Sequence, residues 1–151
     1  MSTKNKEDNK NNLERFIEPS NLQYENALKE IQNGKKESHW IWYIFPQLRG
    51  LGFSQNSKFY GINDIDEAKQ YLNHEILGPR LIKITETLLN LNKNDPIEIF
   101  GNIDSLKVKS CMTLFYYASK NVLFKNVINK YYKGEFCNNT IRKLKKKTTC
   151  C

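Results

Sequence analysis

Apolar residues recur three and four positions apart through most of the chain, which is the spacing of amphipathic helices. Strict alternation of apolar and polar residues, the pattern of a half-buried strand, extends over only a few positions at a time. Prolines, glycines and capping residues separate the helical stretches. The sequence therefore predicts an all-α protein, a single compact multihelical domain of about seven or eight helices.

The helix boundaries are placed at the strongest local signals. Residues 46–62 contain three glycines and are predicted to form an ordered loop. The helical segments, in order, are 13–17 ended by Pro19, one from the Ser20–Gln23 capping box to Gly34, the aromatic segment 38–45, one from 63 or 64, a break at Gly78–Pro79 followed by 81–91, one from Asp95–Pro96 to Gly101, 104–120, 122–132, and a short one after Asn139.

Charge divides the chain into three parts. The net charge is +8, of which residues 142–151 contribute +5 and residues 1–12 contribute +1, so that 13–141 carry only +2. We interpret 1–12 as a disordered leader, 13–141 as the helical domain and 142–151 as a basic tail. Because the domain is nearly neutral, no specific nucleic-acid binding is expected of it.

Other composition features exclude several classes of protein. No stretch approaches the ~20 apolar residues of a membrane span, and no secretory signal follows Met1, so a cytoplasmic protein is expected. Cys111, Cys137, Cys150 and Cys151 form no CxxC pair, which argues against a disulfide framework and against a metal site. No phosphate loop or dinucleotide fingerprint is present, and no cofactor is implied.

One segment, 39–47, is unusual in composition. It holds both tryptophans, Trp40 and Trp42, together with His39 and Gln47, next to the glycine-bearing loop. One interpretation is a helix buried on both sides, whose polar ring atoms find hydrogen-bond partners. The other is the wall of a small-molecule pocket, in which the rings stack on a planar ligand and the polar side chains orient it.

His39 is the candidate catalytic residue, although the sequence leaves enzyme status open. A general base needs an orienting carboxylate and a substrate proton within reach. Asp104 and Glu98 are distant from His39 in the sequence, so either carboxylate is close to it only if the folded chain brings the two together.

Eight segments match a known family in order and spacing. The chain resembles an uncharacterised, mostly bacterial family of small all-helical proteins, a domain of unknown function that automatic naming sometimes labels calpastatin. The resemblance covers about 13–141, implies a compact all-α domain, and implies no established activity. His74-Glu75 stands where the family usually has His-Pro, and the basic tail lies outside the match. The matching segments are Leu13-x-Arg15-Phe16, Gly34-Lys35-Lys36-x-Ser38-His39-Trp40-x-Trp42, Phe45-Pro46-Gln47-x-x-Gly50-Leu51-Gly52-x-Ser54, Tyr60-Gly61-Ile62, Glu67-Ala68-x-x-Tyr71-Leu72, Leu77-Gly78-x-Arg80-Leu81, Ile99-Phe100-Gly101 and Lys107-x-x-Ser110-x-Met112-Thr113-Leu114-Phe115.

The motif positions expected to meet in space come from separate segments. Lys107 would pair with a phosphate or carboxylate, with Ser110 and Thr113 further along the same helix. Alternatively, Lys107 is solvated and the two hydroxyls bond back to helix carbonyls. The candidate ligand-binding residues are His39, Trp40, Trp42, Gln47, Ser54, Tyr60, Lys107, Ser110 and Thr113, with Pro46 beside them.

The sequence thus favours a domain that binds a small nucleotide-like ligand of unknown identity. Hydrolysis of that ligand is a further possibility that the sequence leaves open. Two alternatives stay open. One is a protein-interaction module anchored by Trp40 or Trp42. The other is a peripheral membrane protein, in which the basic tail contacts anionic lipid and Cys150 and Cys151 are lipidated.

Overall fold

The structure, a computed structural model, describes residues 12–148. Within that range the only β-pairing is a parallel bridge between Leu48 and Ile62. The predicted all-α, single-domain fold is confirmed. The eight helices of the described range are α1 (Glu14–Gln32), α2 (Ile41–Ile44), α3 (Gln55–Tyr60), α4 (Ile65–Asn73), α5 (Leu77–Leu89), α6 (Pro96–Ser119), α7 (Val122–Tyr131) and α8 (Asn138–Thr148).

Helix α6 is the centre of the domain. It packs against α4, α7 and α8, while α1 packs against α5 and α2. Six consecutive residues of α6, from Ser110 to Phe115, are buried, as expected of a helix surrounded by others on all sides. The core is therefore built around the second half of α6.

The prediction of a helix end at Pro19 is wrong, because α1 runs through this residue. Proline lacks the N–H that would bond to the carbonyl of Arg15, a loss of about 3 kcal/mol in a helix interior. Burial of Phe16 and Tyr24 on either side of Pro19 holds the helix together. Ser20 is not a cap, since its hydroxyl accepts a hydrogen bond from Arg80 Nη1 at 2.8 Å.

Two further boundaries differ from the sequence prediction. The predicted loop 46–62 contains α3, whose N-cap Ser54 accepts a hydrogen bond from the backbone N–H of Ser57. The predicted break at Gly78–Pro79 lies instead just before Leu77, where His74 Nδ1 accepts the backbone N–H groups of Ile76 and Leu77. The first turns of α3 and α5 are both stabilised by a side chain that accepts hydrogen bonds from backbone N–H groups without partners in the helix.

The predicted boundary between domain and tail falls inside α8, which continues to Thr148. Leu144 is buried in the hydrophobic core, so the helix is anchored beyond residue 141. The basic residues Arg142, Lys143, Lys145 and Lys146 are therefore part of a helix.

A buried ion pair joins the start of α1 to α4. Arg15 Nη1 lies 2.8 Å from Glu67 Oε2, Arg15 Nη2 lies 2.9 Å from Oε1, and the two side chains are 5% and 0% exposed. Arg15 also donates to the carbonyl oxygens of Phe59 and Gly61 at 2.9 and 2.7 Å. The guanidinium thereby fixes the chain that connects α3 to α4.

Glycine is required at position 61 for steric reasons. A Cβ built there would lie 2.6 Å from the Cα of Arg49 and 2.8 Å from the carbonyl oxygen of Ser57. The backbone of Gly61, which accepts a hydrogen bond from Arg15, is thus in close contact with two other backbone segments.

We expect Glu67→Gln to destabilise the protein by roughly 3–5 kcal/mol, because it leaves the buried charge of Arg15 without a counterion. Urea denaturation at neutral pH measures this change. Glu86→Gln on the exposed side of α5 is the matched control and should change the stability by less than about 0.5 kcal/mol. Equal effects of the two substitutions would contradict a structural role for the pair.

Candidate functional site

A cleft of about 290 Å³ lies where the segment 36–42 meets α3 and α6. Its walls combine two cations, one carboxylate, an amide, a histidine and an indole. The lining residues are Lys36, His39, Ile41, Trp42, Asn56, Asp104 and Lys107. We refer to it as the His39 cleft.

Glu30 on α1 fixes the turn that carries His39. Its carboxylate accepts hydrogen bonds from the backbone N–H groups of Glu37 (2.7 Å) and Ser38 (3.0 Å), the Ser38 hydroxyl (2.6 Å), the Trp40 indole (2.9 Å) and the Asn26 amide (3.0 Å). The residues on both sides of position 39 are therefore held, and the His39 side chain is exposed at the cleft.

The pKa of Glu30 reflects these donors. Burial alone would raise it, but the hydrogen bonds from Ser38, Glu37 and Trp40 outweigh burial and lower the pKa to about 2. Glu30 is thus a charged structural acceptor at neutral pH.

Two lysines share one carboxylate at the floor of the cleft. Lys36 Nζ lies 2.8 Å from Asp104 Oδ2, and Lys107 Nζ lies 3.1 Å from Asp104 Oδ1. The Lys36 side chain is only 9% exposed and that of Lys107 is 20% exposed. Burial would raise the pKa of Asp104, but hydrogen bonds and charge from both lysines lower it, so the aspartate stays ionised.

Each lysine also lies over a tryptophan ring. Lys36 Nζ is 5.2 Å from the Trp40 ring centroid, and Lys107 Nζ is 4.2 Å from that of Trp42. Cation–π attraction of this kind orients a partly desolvated ammonium group. The positions of the ammonium groups are thus defined by both Asp104 and the rings.

A break in α6 gives Asp104 its position. Gly101 has φ +82° and ψ 170°, a conformation essentially restricted to glycine, and interrupts the helix. The carbonyl of Ile99 accepts the backbone N–H of Lys36 at 2.7 Å. A second groove of about 540 Å³, lined by Phe100, Gly101, Asn102 and Ile103, shares Asp104 and Lys107 with the His39 cleft.

Three of the predicted site residues, His39, Trp42 and Lys107, meet in this cleft. Trp40 is fully buried beneath it, with Lys36 over its ring. Asp104, one of the two carboxylates considered for His39, lines the cleft, whereas Glu98 lies 3.4 Å from Lys93.

The other predicted site residues have structural contacts. Ser54 caps α3, Tyr60 packs on Tyr43 with ring centroids 5.4 Å apart, and the Gln47 carbonyl accepts the N–H of Ile62. Two hydroxyls tie α6 to the C-terminal segment. Ser110 Oγ lies 2.8 Å from Thr140 Oγ1, and Thr113 Oγ1 donates to the Lys109 carbonyl and accepts the N–H of Cys137. Cys150 and Cys151 lie outside the described residues.

Sequence reasoning missed Lys36 and Asn56 as site residues. Lys36 precedes His39 by three positions, and the D-x-x-K spacing of Asp104 and Lys107 indicates a neighbouring pair on a helix. No comparable signal marks Asn56, since α3 itself was not predicted.

Between residues 12 and 148, no group of three or more His, Cys, Asp and Glu side chains is placed to hold a metal ion. None of the helices in this range has both the length and the apolar character needed to span a bilayer.

Comparison with protein families identifies residues 10–144 as a match to the model described as "Protein of unknown function (DUF1810)". The chain belongs to the DUF1810 family. This confirms the resemblance to an uncharacterised family of helical proteins. A comparison with curated proteins finds no match.

A crystal structure of a similar protein has the same fold. The conserved hypothetical protein Rv1873 from Mycobacterium tuberculosis, determined at 1.38 Å, is 40% identical to this chain, with a TM-score of 0.86. The match covers 88% of this chain and 96% of Rv1873.

We expect Glu30→Gln to destabilise this DUF1810 protein by about 1–3 kcal/mol at pH 7, because a charged acceptor of several hydrogen bonds is removed. The folded-state pKa of about 2 lies below the ordinary glutamate value of 4.5, so the contribution is complete above about pH 4.5. It should be lost progressively as the pH falls from 4.5 toward 2.

Urea denaturation of both proteins between pH 7 and pH 2.5 measures this difference. Glu18→Gln, at an exposed position on the same helix, is the control and should be neutral throughout. A destabilisation by Glu30→Gln that is the same at pH 7 and pH 2.5 would disprove the electrostatic explanation.

Proposed function

We propose that the His39 cleft binds a small, anionic, nucleotide-like ligand. In this proposal, Lys36 and Lys107 pair with a phosphate group and Trp42 contacts a planar group. The observation that carries the proposal is the convergence of two partly buried ammonium groups on the single carboxylate of Asp104.

The charge balance of the cleft favours an anion. Two ammonium groups face one carboxylate, and each ammonium has three N–H donors. The Lys36 side chain, at 9% exposed, has little access to water. A bound phosphate would supply the second negative charge and accept the remaining donors, in an environment where such hydrogen bonds are strong.

Trp42 supplies the aromatic wall. Lys107 covers part of its ring, so a planar ligand group would pack against the portion left open to the cleft. His39 at the rim and Asn56 on α3 add polar groups that could orient the ligand.

The size of the cleft suits a small ligand. Its 290 Å³ is at the lower end of typical ligand pockets, which hold about 300–1,000 Å³. The neighbouring groove of about 540 Å³ shares Asp104 and Lys107, so a longer ligand would extend across the break in α6 at Gly101.

Binding is better supported than hydrolysis. Asp104 is a weak base because its pKa is lowered by the two lysines. Hydrolysis therefore depends on His39 acting on a bound water, and turnover that is lost in His39→Gln with binding retained would establish it.

A tryptophan-anchored protein interface has less support. Trp40 is fully buried and donates its indole N–H to Glu30, so it cannot insert into a partner. Trp42 is partly buried and covered by Lys107. Lipidation of Cys150 and Cys151 stays a prediction from the sequence.

The binding proposal is tested by calorimetric titration with AMP and ADP-ribose as probes. We expect Lys107→Met to weaken the binding of at least one probe about 10–100-fold, since a charged hydrogen bond contributes about 1.5–3 kcal/mol. Lys36→Met should have a similar effect.

Lys83→Met, at an exposed position on α5, is the control and should bind as the wild type does. Circular dichroism and thermal unfolding verify that each variant is folded. The proposal would be contradicted if the wild type bound neither probe. It would also be contradicted if folded Lys107→Met bound the probes with the same affinity as the wild type.

A further inference from the structure

A second cleft, of about 660 Å³, lies on another side of α3. Gln55, Lys58 and Phe59 of α3 form one wall, and Arg49 with the first residues of α1 forms the other. Asn56, by contrast, lines the His39 cleft. We refer to the second cleft as the Arg49 cleft.

The Arg49 guanidinium is not paired in the way that its neighbour Arg15 is. Arg15 forms two hydrogen bonds with Glu67 and further bonds with backbone carbonyls. Arg49 Nε is buried and has no hydrogen-bond partner within residues 12–148. A buried donor without an acceptor is unfavourable, so an acceptor that pairs with it would be stabilised.

The local charges also favour an anion. Glu67 is already neutralised by Arg15, which leaves Arg49 and the exposed Lys58 against the exposed carboxylate of Glu14. Burial, followed by the repulsion of Arg15, lowers the pKa of Arg49, and the attraction of Glu67 only partly opposes them. The positive charge of Arg49 is therefore less well compensated than that of Arg15.

We infer that the Arg49 cleft is an oxyanion site for a small phosphate-bearing molecule, separate from the His39 cleft. Arg49 donates to the phosphate, Lys58 supplies a second cation, and Phe59 offers an apolar surface to the rest of the molecule.

The shape of the cleft favours a small molecule over an extended acidic peptide. Arg49 lines the cleft but its Nε has no contact with solvent, so an acceptor pairs with this atom only when the side chain turns toward the cleft, a movement that a compact group accommodates better than an extended chain. A planar guanidinium suits the bidentate geometry of a phosphate oxygen pair. The Phe59 side chain is 55% exposed and would be covered by a ligand that extends outward from the phosphate.

The test follows the Arg49 Nε–H resonance of the full-length protein by NMR during titration with inorganic phosphate at constant ionic strength. The chain has four arginines, so Arg49→Met assigns the signal. We expect a saturable shift of this signal in the wild type. Lys107→Met should give the same shift, because Lys107 lines the His39 cleft and the groove beside it but not the Arg49 cleft.

Thermal unfolding gives an independent readout of the same site. Without phosphate, Arg49→Met should be at least as stable as the wild type, since it removes the unpaired donor and the repulsion with Arg15. Phosphate should raise the melting temperature of Lys107→Met, whereas the double variant Arg49→Met/Lys107→Met should show at least a tenfold weaker effective affinity.

Three outcomes would overturn the inference. The first is that the Arg49 signal does not saturate or responds equally to chloride. The second is that phosphate stabilises Lys107→Met and the double variant equally. The third is that phosphate has no effect while Glu7→Gln or Asp8→Asn moves the Arg49 signal, which would make an acidic side chain of this protein the occupant. None of these outcomes bears on nucleotide binding in the His39 cleft.

Discussion

The buried pair of Arg15 and Glu67 is the constraint on which the functional surface depends. It joins α1 to α4 and, through the carbonyls of Phe59 and Gly61, holds the end of α3. Helix α3 has only six residues, too few to be stable alone, so its position comes from these tertiary contacts. Because α3 contributes to the walls of both clefts, the ion pair determines the shape of each of them.

Three carboxylates each accept several hydrogen bonds in and around the site. Glu30 gathers neutral donors from the 37–40 turn, Asp104 gathers two lysines, and Glu67 gathers one arginine. Glu30 and Glu67 satisfy groups that would otherwise be buried without partners, which fixes backbone geometry. Asp104 differs, because a single carboxylate pairs with two lysines. Some N–H donors of these lysines are therefore available to a ligand in the cleft. That difference separates a structural acceptor from a candidate binding site.

The helical periodicity was sufficient to predict the fold class, the aromatic motif pointed to His39 and Trp42, and the family resemblance pointed to Lys107. The sequence misled where tertiary burial outweighs a local signal, as at Pro19, which lies within a helix anchored by Phe16. For Ser110 and Thr113 it left binding and bonding to helix carbonyls as alternatives; Thr113 does bond to the Lys109 carbonyl, but the further partners Thr140 and Cys137 are distant in sequence. A single chain does not reveal such contacts, because any hydroxyl on a helix has several potential acceptors.

The break at Gly101 depends on a backbone conformation that glycine adopts readily and other residues do not. A residue with a side chain would be strained here by about 1–3 kcal/mol, although a Cβ at this position would meet nothing within 4 Å. The constraint is therefore the backbone torsion itself and not a lack of space. Its structural consequence is that the carbonyl of Ile99 pairs with Lys36, which brings the Lys36 ammonium to Asp104 shortly after the break. In an uninterrupted helix the Ile99 carbonyl would accept a backbone N–H of α6 itself. The segment that carries Lys36 and His39 would then lose this hydrogen bond to α6.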